Sequence, residues 1–273
     1  MERRQLARQL SAIENGELQV VKTEGLIVAI TGPPGVGKSC LVDGILHRLA
    51  PKHKVAVLAI DPTSPISGGA LLGDRIRLSV LDDAEKSDSI YVRSIATRSS
   101  SGSMPSIVSD LANHLLASNF DLVIIETVGA GQSEMRCAAI ANRIIVVEGP
   151  SRGDGVQAEK AGLLELADLI VVNKSDLEGA SKVVNDLTVS LTLTNDAPPI
   201  ILASATEGVG LDELSEKILS LEERVSSRRA RVRQQLLMAH ENVLVRNPAF
   251  EAIIDRMSEE GLSIEDALRE FDE

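Results

Sequence analysis

Apolar residues follow one another without alternation in seven short runs: GLIVAI (25–30), KVAVLAI (54–60), SIYVRSI (89–95), FDLVIIE (120–126), NRIIVVE (142–148), ADLIVVN (167–173) and PIILAS (199–204). Each has strand length and is rich in Val and Ile. Continuous hydrophobicity means burial on both faces, as in a parallel sheet covered by helices. Helical patterns lie between most of the runs, around 38–50, 106–118, 155–166 and 178–193. Strand and helix in alternation predict an α/β fold with a mostly parallel, doubly wound sheet over residues 23–223. Residues 1–22 predict a short N-terminal helical segment, with Leu6, Leu10 and Ile13 at helical spacing and Gly16 ending the run.

The extension 224–273 reads differently. Leu211, Leu214, Ile218, Leu221 and Val225 step by three and four, which predicts one helix that closes the domain and runs on. Asn247-Pro248 is a break, read as an N-cap with proline at the first helical position, followed by a helix to about Glu260 stopped by Gly261. Ser263 and Asp266 are spaced to cap a last helix through Phe271. The extension is too small for its own core. It is expected to pack as an arm on the domain or on a second subunit.

Charge narrows the partners. The 273 residues hold 28 Lys and Arg against 40 Asp and Glu, a net charge of −12, which disfavours general binding to nucleic acid or anionic lipid. Aromatics are only 1%, so a base-stacking platform is not expected and Val, Ile, Leu and Ala must fill the core. SSRRARVRQQ (226–235) is a local basic stretch. Cys40 and Cys137 are too few for a disulfide scaffold or a four-thiolate zinc site and read as reduced thiols. No apolar run has the length of a membrane span, and no signal-peptide core follows MERRQLARQL. The expectation is a cytoplasmic protein.

The chemistry begins at GPPGVGKS (32–39), which satisfies G-x-x-x-x-G-K-[ST] between a predicted strand and a predicted helix. Gly32, Pro33, Pro34, Gly35, Val36, Gly37, Lys38, Ser39 and Cys40 form the candidate phosphate site. The glycines let backbone N–H groups face phosphate oxygens, and the next helix points its positive end at them. Lys38 is expected to bridge the β- and γ-phosphates, and the Ser39 hydroxyl to ligate Mg²⁺. Cys40 reads as a packed helix residue.

Asp61 and Glu126 end buried strands at the edge where a magnesium ion, or its water, needs oxygen. Asp74, in LLGD, is a third candidate metal acid, with an exposed loop acid as the plain alternative. Gly129 is a candidate N–H donor to the γ-phosphate, which makes 127–134 a nucleotide-sensing switch. Asp61, Asp74 and Glu126 are all candidates for orienting the attacking water, and the sequence does not choose among them; Gln132 nearby reads as a surface residue. NKSD (173–176) follows a buried strand and matches N-K-x-D. Asp176 can accept hydrogen bonds from guanine N1 and the 2-amino group, for which adenine has no matching donors. Asn173 is expected to hold the loop and the Lys174 stem to cover the base. Ser204, Ala205 and Thr206 read as a second guanine loop, with the Ala205 N–H facing the base carbonyl. The order of these motifs favours GTP over ATP.

LAIDPTSPISGGALLGDRIRL (58–78), VRSIATR (92–98), DLVIIETVGAGQSE (121–134) and GDGVQAEKAGLLELADLIVVNKSD (153–176) together resemble the MeaB/ArgK/MMAA family of SIMIBI-class P-loop GTPases. The resemblance covers most of 20–215. It implies a homodimeric GTPase that binds GTP, GDP and Mg²⁺. It also implies a chaperone role, gating cofactor delivery to an adenosylcobalamin-dependent acyl-CoA mutase of the methylmalonyl-CoA mutase type and protecting that enzyme. It further implies a mutase-responsive switch near Gly153–Lys160, with Asp154, Gln157 and Lys160 at matching positions. The chain departs from the family at SSSGSMP (99–105) and at Glu148-Gly149-Pro150-Ser151-Arg152. Those loops bear on which mutase is served more than on the nucleotide chemistry.

Three other readings compete. A nickel-insertion GTPase would need a metal-carrying site, but His47, His53, His114 and His240 are scattered and read as surface or packing residues. A small-molecule or protein kinase would favour ATP, against N-K-x-D. A regulatory binder that does not hydrolyse GTP is not separated by slow turnover, since such switches wait for a partner.

Overall fold

A computed structural model describes residues 3–61, 78–96, 107–127, 135–150, 158–192, 196–245 and 247–272. Its seven strands are β1 (Leu26–Thr31), β2 (Val55–Asp61), β3 (Ile90–Ala96), β4 (Leu122–Glu126), β5 (Arg143–Glu148), β6 (Leu169–Val172) and β7 (Ile200–Leu202). They form one sheet in the order β3-β2-β4-β1-β5-β6-β7, every pair parallel. Each coincides with one of the seven apolar runs, β1, β2 and β3 reaching one residue beyond it. Every residue of β2, β4 and β6 is buried, as continuous Val and Ile predict for strands covered on both faces.

Two apolar layers cover the sheet. On one face lie α1 (Arg3–Glu14), α4 (Ile107–Ala117), α5 (Ala158–Leu166) and α6 (Ala180–Leu191), with a 3-10 turn at Cys137–Ala139. On the other lie α2 (Lys38–Leu49) and α7 (Leu211–Leu219). A further 3-10 turn (Ser79–Asp82) leads into α3 (Ala84–Ser87), which Asp83 caps by accepting from the Glu85 and Lys86 amides. α1 buries Leu6, Leu10 and Ile13, and Glu14 receives both arms of Arg93 on edge strand β3 at 2.8 and 2.9 Å. Among the described residues, no helix is long and apolar enough to cross a membrane.

The extension corrects two expectations. The helix expected to run on through Leu221 and Val225 stops at Leu219, and α8 (Val225–Val245) starts afresh. The break at 220–224 lets Leu221 turn into the core and Arg224 reach Asp168 through its amide. The Asn247-Pro248 break is real, but Asn247 Oδ1 accepts from the Ala249 amide in a tight turn, and α9 (Phe250–Glu259) begins beyond the proline. Gly261 follows with φ +77°. Ser263 and Asp266 cap α10 (Ile264–Asp272) reciprocally, through the Asp266 amide and its carboxylate.

The basic stretch is not uniformly solvated. Arg231 is 3% exposed and pairs with Asp168, whose side chain is fully buried. Asp168 also accepts from the Ile144 and Arg224 amides, and Arg231 donates to the Ala141 and Leu166 carbonyls. This network fixes the start of α8 to the start of β6.

Candidate functional site

β1 hands the chain to GPPGVGKS, which turns into α2. Two glycines are demanded by space as well as by φ. At Gly32 (φ +142°) a Cβ would lie 2.1 Å from the Val147 carbonyl oxygen, and at Gly37 (φ +95°) 2.5 Å from Asn173 Nδ2. Val36 is buried beneath the loop, while Pro34 and Gly35 are exposed. Lys38 opens α2 and is buried, and its Nζ donates to the carbonyls of Gly32 (2.6 Å) and Pro33 (2.9 Å). The ammonium is thereby held against the candidate phosphate loop at the positive end of a helix. Cys40, expected to pack, is exposed, because this first turn of α2 faces an open cleft.

The acids gather at the same edge. Glu126, the last residue of β4, is in register with Ile30 of β1 and Ala59 of β2, and Asp61 closes β2. Ser39 Oγ donates to Glu126 Oε1 at 2.5 Å. Both carboxylates are buried, and burial raises the pKa of each above its ordinary value. Asp61 adds to that rise at Glu126, while the Ser39 hydrogen bond and the Lys38 charge oppose it; at Asp61 a hydrogen bond from Ser94 opposes it. Among the described residues, Asp61 Oδ2 and Glu126 Oε2 have no hydrogen-bond partner. Leaving such oxygens bare is costly, and a cation at this edge would compensate them. The donors, a hydroxyl and carboxylates, fit Mg²⁺. Among the described residues no three His, Cys, Asp or Glu side chains form a metal cluster, and Mg²⁺ is commonly held by one or two carboxylates with water and phosphate oxygens.

Asn173 knits the other side of the cleft together. Its Nδ2 donates to the Val36 carbonyl (2.8 Å), and its Oδ1 accepts from the Ala205 amide (3.1 Å). The Ala205 N–H, expected to face the base, is therefore turned to Asn173, which gains a partner for its buried amide oxygen. Lys174, with φ +60°, donates from Nζ to the Gly35 carbonyl (2.7 Å), laying its stem along the phosphate loop. Ser204 Oγ donates to Asp176 Oδ1 (2.5 Å) and accepts from the Glu207 amide (3.2 Å), which orients the exposed carboxylate. A cleft of about 570 Å³ runs beside α2 from Ser39 and Cys40 to Ala205 and Thr206.

Sequence reading missed two contributors: Ser94 bonds Asp61 from the neighbouring strand, and buried Thr127 donates to the buried Thr31 hydroxyl (2.9 Å), tying the start of 127–134 to β1. Glu148, the last residue of the NRIIVVE run, is buried at the end of β5. Asp74, Gly129, Gln132, Asp154 and Gln157 lie outside the described residues, as do loop 99–105, Ser151, Arg152 and the side chain of Lys160.

A phosphate loop at the head of a central parallel strand, acids ending two neighbouring strands and an N-K-x-D turn knitted to that loop define a P-loop GTPase. The model of the methylmalonyl-CoA mutase-associated GTPase MeaB matches residues 5–261, and the chain belongs to that family. A protein of Pyrococcus abyssi that carries a GTPase name is 35% identical over 96% of this chain and 89% of its own length. The fused isobutyryl-CoA mutase of Paraburkholderia xenovorans is 34% identical over 67% of this chain and 16% of its own. The crystal structure of LAO/AO transport system kinase shares the fold, with a TM-score of 0.57 at 24% identity over 97% of this chain and 85% of that one.

Two outcomes test the site assignment. Asp176→Asn is expected to lower GTP affinity at least tenfold, the scale of one charge-assisted hydrogen bond, and to admit xanthine nucleotides. Competition binding with GTP and XTP checks it, and an unchanged preference refutes the base-reading role. Glu126→Gln is expected to cut Mg²⁺-dependent GTP turnover at least tenfold, measured by phosphate release. Its pH signature has a definite sign. Because burial raises the folded pKa of Glu126, its contribution to stability is full below the ordinary glutamate value and is lost as pH rises through the raised one. The melting temperature without nucleotide therefore falls more steeply over that window in the unsubstituted chain than in Glu126→Gln.

Proposed function

We propose that this GTPase is a chaperone of an adenosylcobalamin-dependent acyl-CoA mutase, gating cofactor delivery and protecting the enzyme. The observation that carries the reading is the match to a fused isobutyryl-CoA mutase, in which a stretch homologous to this chain shares one polypeptide with a mutase. The MeaB family's own description, a mutase-associated GTPase, points the same way.

In this reading residues 23–223 form the GTPase domain, flanked by the 1–22 segment and the 224–273 arm. Lys38 and the amides of 32–39 bind the phosphates. Asp176, held by Ser204, selects guanine, and Asn173 keeps both loops in register. Ser39, Asp61 and Glu126, with Asp74, would hold Mg²⁺, which supplies charge neutralisation on the β- and γ-phosphates. Asp61, Asp74 or Glu126 orients water, and Gly129 responds to the γ-phosphate. The molecule acts as a homodimer, with Val232, Leu236 and Val243 on the exposed side of α8 available to a second copy. GTP and GDP can direct a mutase only through contacts that differ between the two states.

The test is retention of mutase subunits from native lysate by the chain loaded with a non-hydrolysable GTP analogue or with GDP, identified by mass. Nucleotide-dependent retention of a cobalamin-dependent mutase is the expected result. A nickel-enzyme precursor, or no mutase under either nucleotide, overturns it.

A further inference from the structure

α8 is attached to the domain at two places of unequal strength. Near its start, Arg231 is sealed among Asp168 and the carbonyls of Ala141 and Leu166. Ten residues on, about 15 Å along the helix axis, Glu241 receives both arms of Arg136 at 2.8 and 3.1 Å. That second pair is open to solvent: Glu241 is 43% and Arg136 24% exposed. Partly exposed pairs shift an equilibrium constant by about fivefold or less, so this contact can form and break while the buried one persists.

Both attachments meet chain leaving a candidate switch. Arg136 stands two residues past 127–134, and α5 begins within the candidate switch near 153–160 and ends at Leu166, whose carbonyl the Arg231 clamp meets. Met135 packs within reach of Gly162 on α5, so the exits of both segments touch each other as well as α8.

We propose that α8 reads the nucleotide state of the site through the Arg136–Glu241 pair, with the Arg231 clamp as its fixed fulcrum. The proposal rests on the reading of 127–134 as a nucleotide-responsive segment. Glu241 is then a positioning residue, acting on the site through Arg136 without touching nucleotide. Linkage requires reciprocity: a contact made differently in the two states must bias the GTP-to-GDP affinity ratio, and its loss must shift that ratio by up to about fivefold.

Hydrogen exchange on the full chain, with Mg²⁺ and either GDP or a non-hydrolysable GTP analogue, tests it. Peptides over 236–245 are expected to exchange at rates differing at least twofold between the two nucleotides. Glu241→Gln is expected to erase that difference while P-loop peptides stay protected by both nucleotides. The charge swap Arg136→Glu with Glu241→Arg is expected to restore it. If peptides over 128–134 distinguish the nucleotides and 236–245 do not, the coupling is refuted while the switch reading stands. If P-loop peptides are protected but 128–134 does not distinguish the nucleotides, the switch reading fails and takes this proposal with it. A difference at 236–245 that survives Glu241→Gln also refutes the pair as the route.

Discussion

Lys38→Ala is expected to weaken GTP binding by two orders of magnitude or more. A charge-assisted hydrogen bond is worth about 1.5–3 kcal/mol, and Lys38 is expected to serve two phosphates. In the structure the same ammonium also donates to the Gly32 and Pro33 carbonyls, so it holds the loop that the phosphates need. Alanine therefore removes a ligand and loosens the cradle together. About 3 kcal/mol corresponds to roughly a hundredfold in Kd. Titration with a fluorescent GTP analogue reads the loss, and unchanged affinity would remove the phosphate-site assignment. Arginine is a poor rescue, because its planar fork does not occupy the place of a compact ammonium.

The largest effect on stability is expected at Asp168, far from the nucleotide. Asp168→Ala strands the buried Arg231 charge and deprives the Ile144 and Arg224 amides of their acceptor. Breaking a buried pair from one side typically costs about 3–5 kcal/mol, which for a chain of this size lowers the melting temperature by roughly 10 °C. Replacing both partners with apolar residues, Asp168→Leu with Arg231→Met, is expected to recover much of the loss, because no uncompensated charge remains. Calorimetry on the two variants distinguishes a paired charge from mere packing: equal losses in both would show that the pair itself contributes little.

The strands were legible because burial on both faces writes itself as an unbroken Val and Ile run. GPPGVGKS and NKSD were legible because their chemistry is set by neighbours in sequence. Contacts across long separations were not. The Ser39–Glu126 bond spans 87 positions and the Arg231–Asp168 pair 63. Read locally, 226–235 looks like a solvated basic face, although its third arginine, Arg231, is sealed inside. The helix expected to continue past Leu219 breaks for the same reason: the 3.6-residue periodicity of Leu221 and Val225 persists, but the backbone at 220–224 is redirected toward Asp168. The sequence pattern points the Ala205 amide at a base, and the structure gives it to Asn173, a side chain 32 positions away.

The Asp168 clamp also bears on the order in which the molecule can assemble. Synthesis delivers β6 and its guanine loop well before Arg224 and Arg231, which follow Asp168 by 56 and 63 residues. Until they arrive, a carboxylate destined for the interior has the Ile144 amide but no cation to meet, so closing the sheet beyond β5 buries an unpaired charge. The phosphate half, from β1 to β5, carries no such debt and can settle first. The base-reading half of the nascent GTPase therefore gains its full stability only once the arm has been made, and a chain stalled before residue 224 would hold its guanine loop less firmly than its phosphate loop.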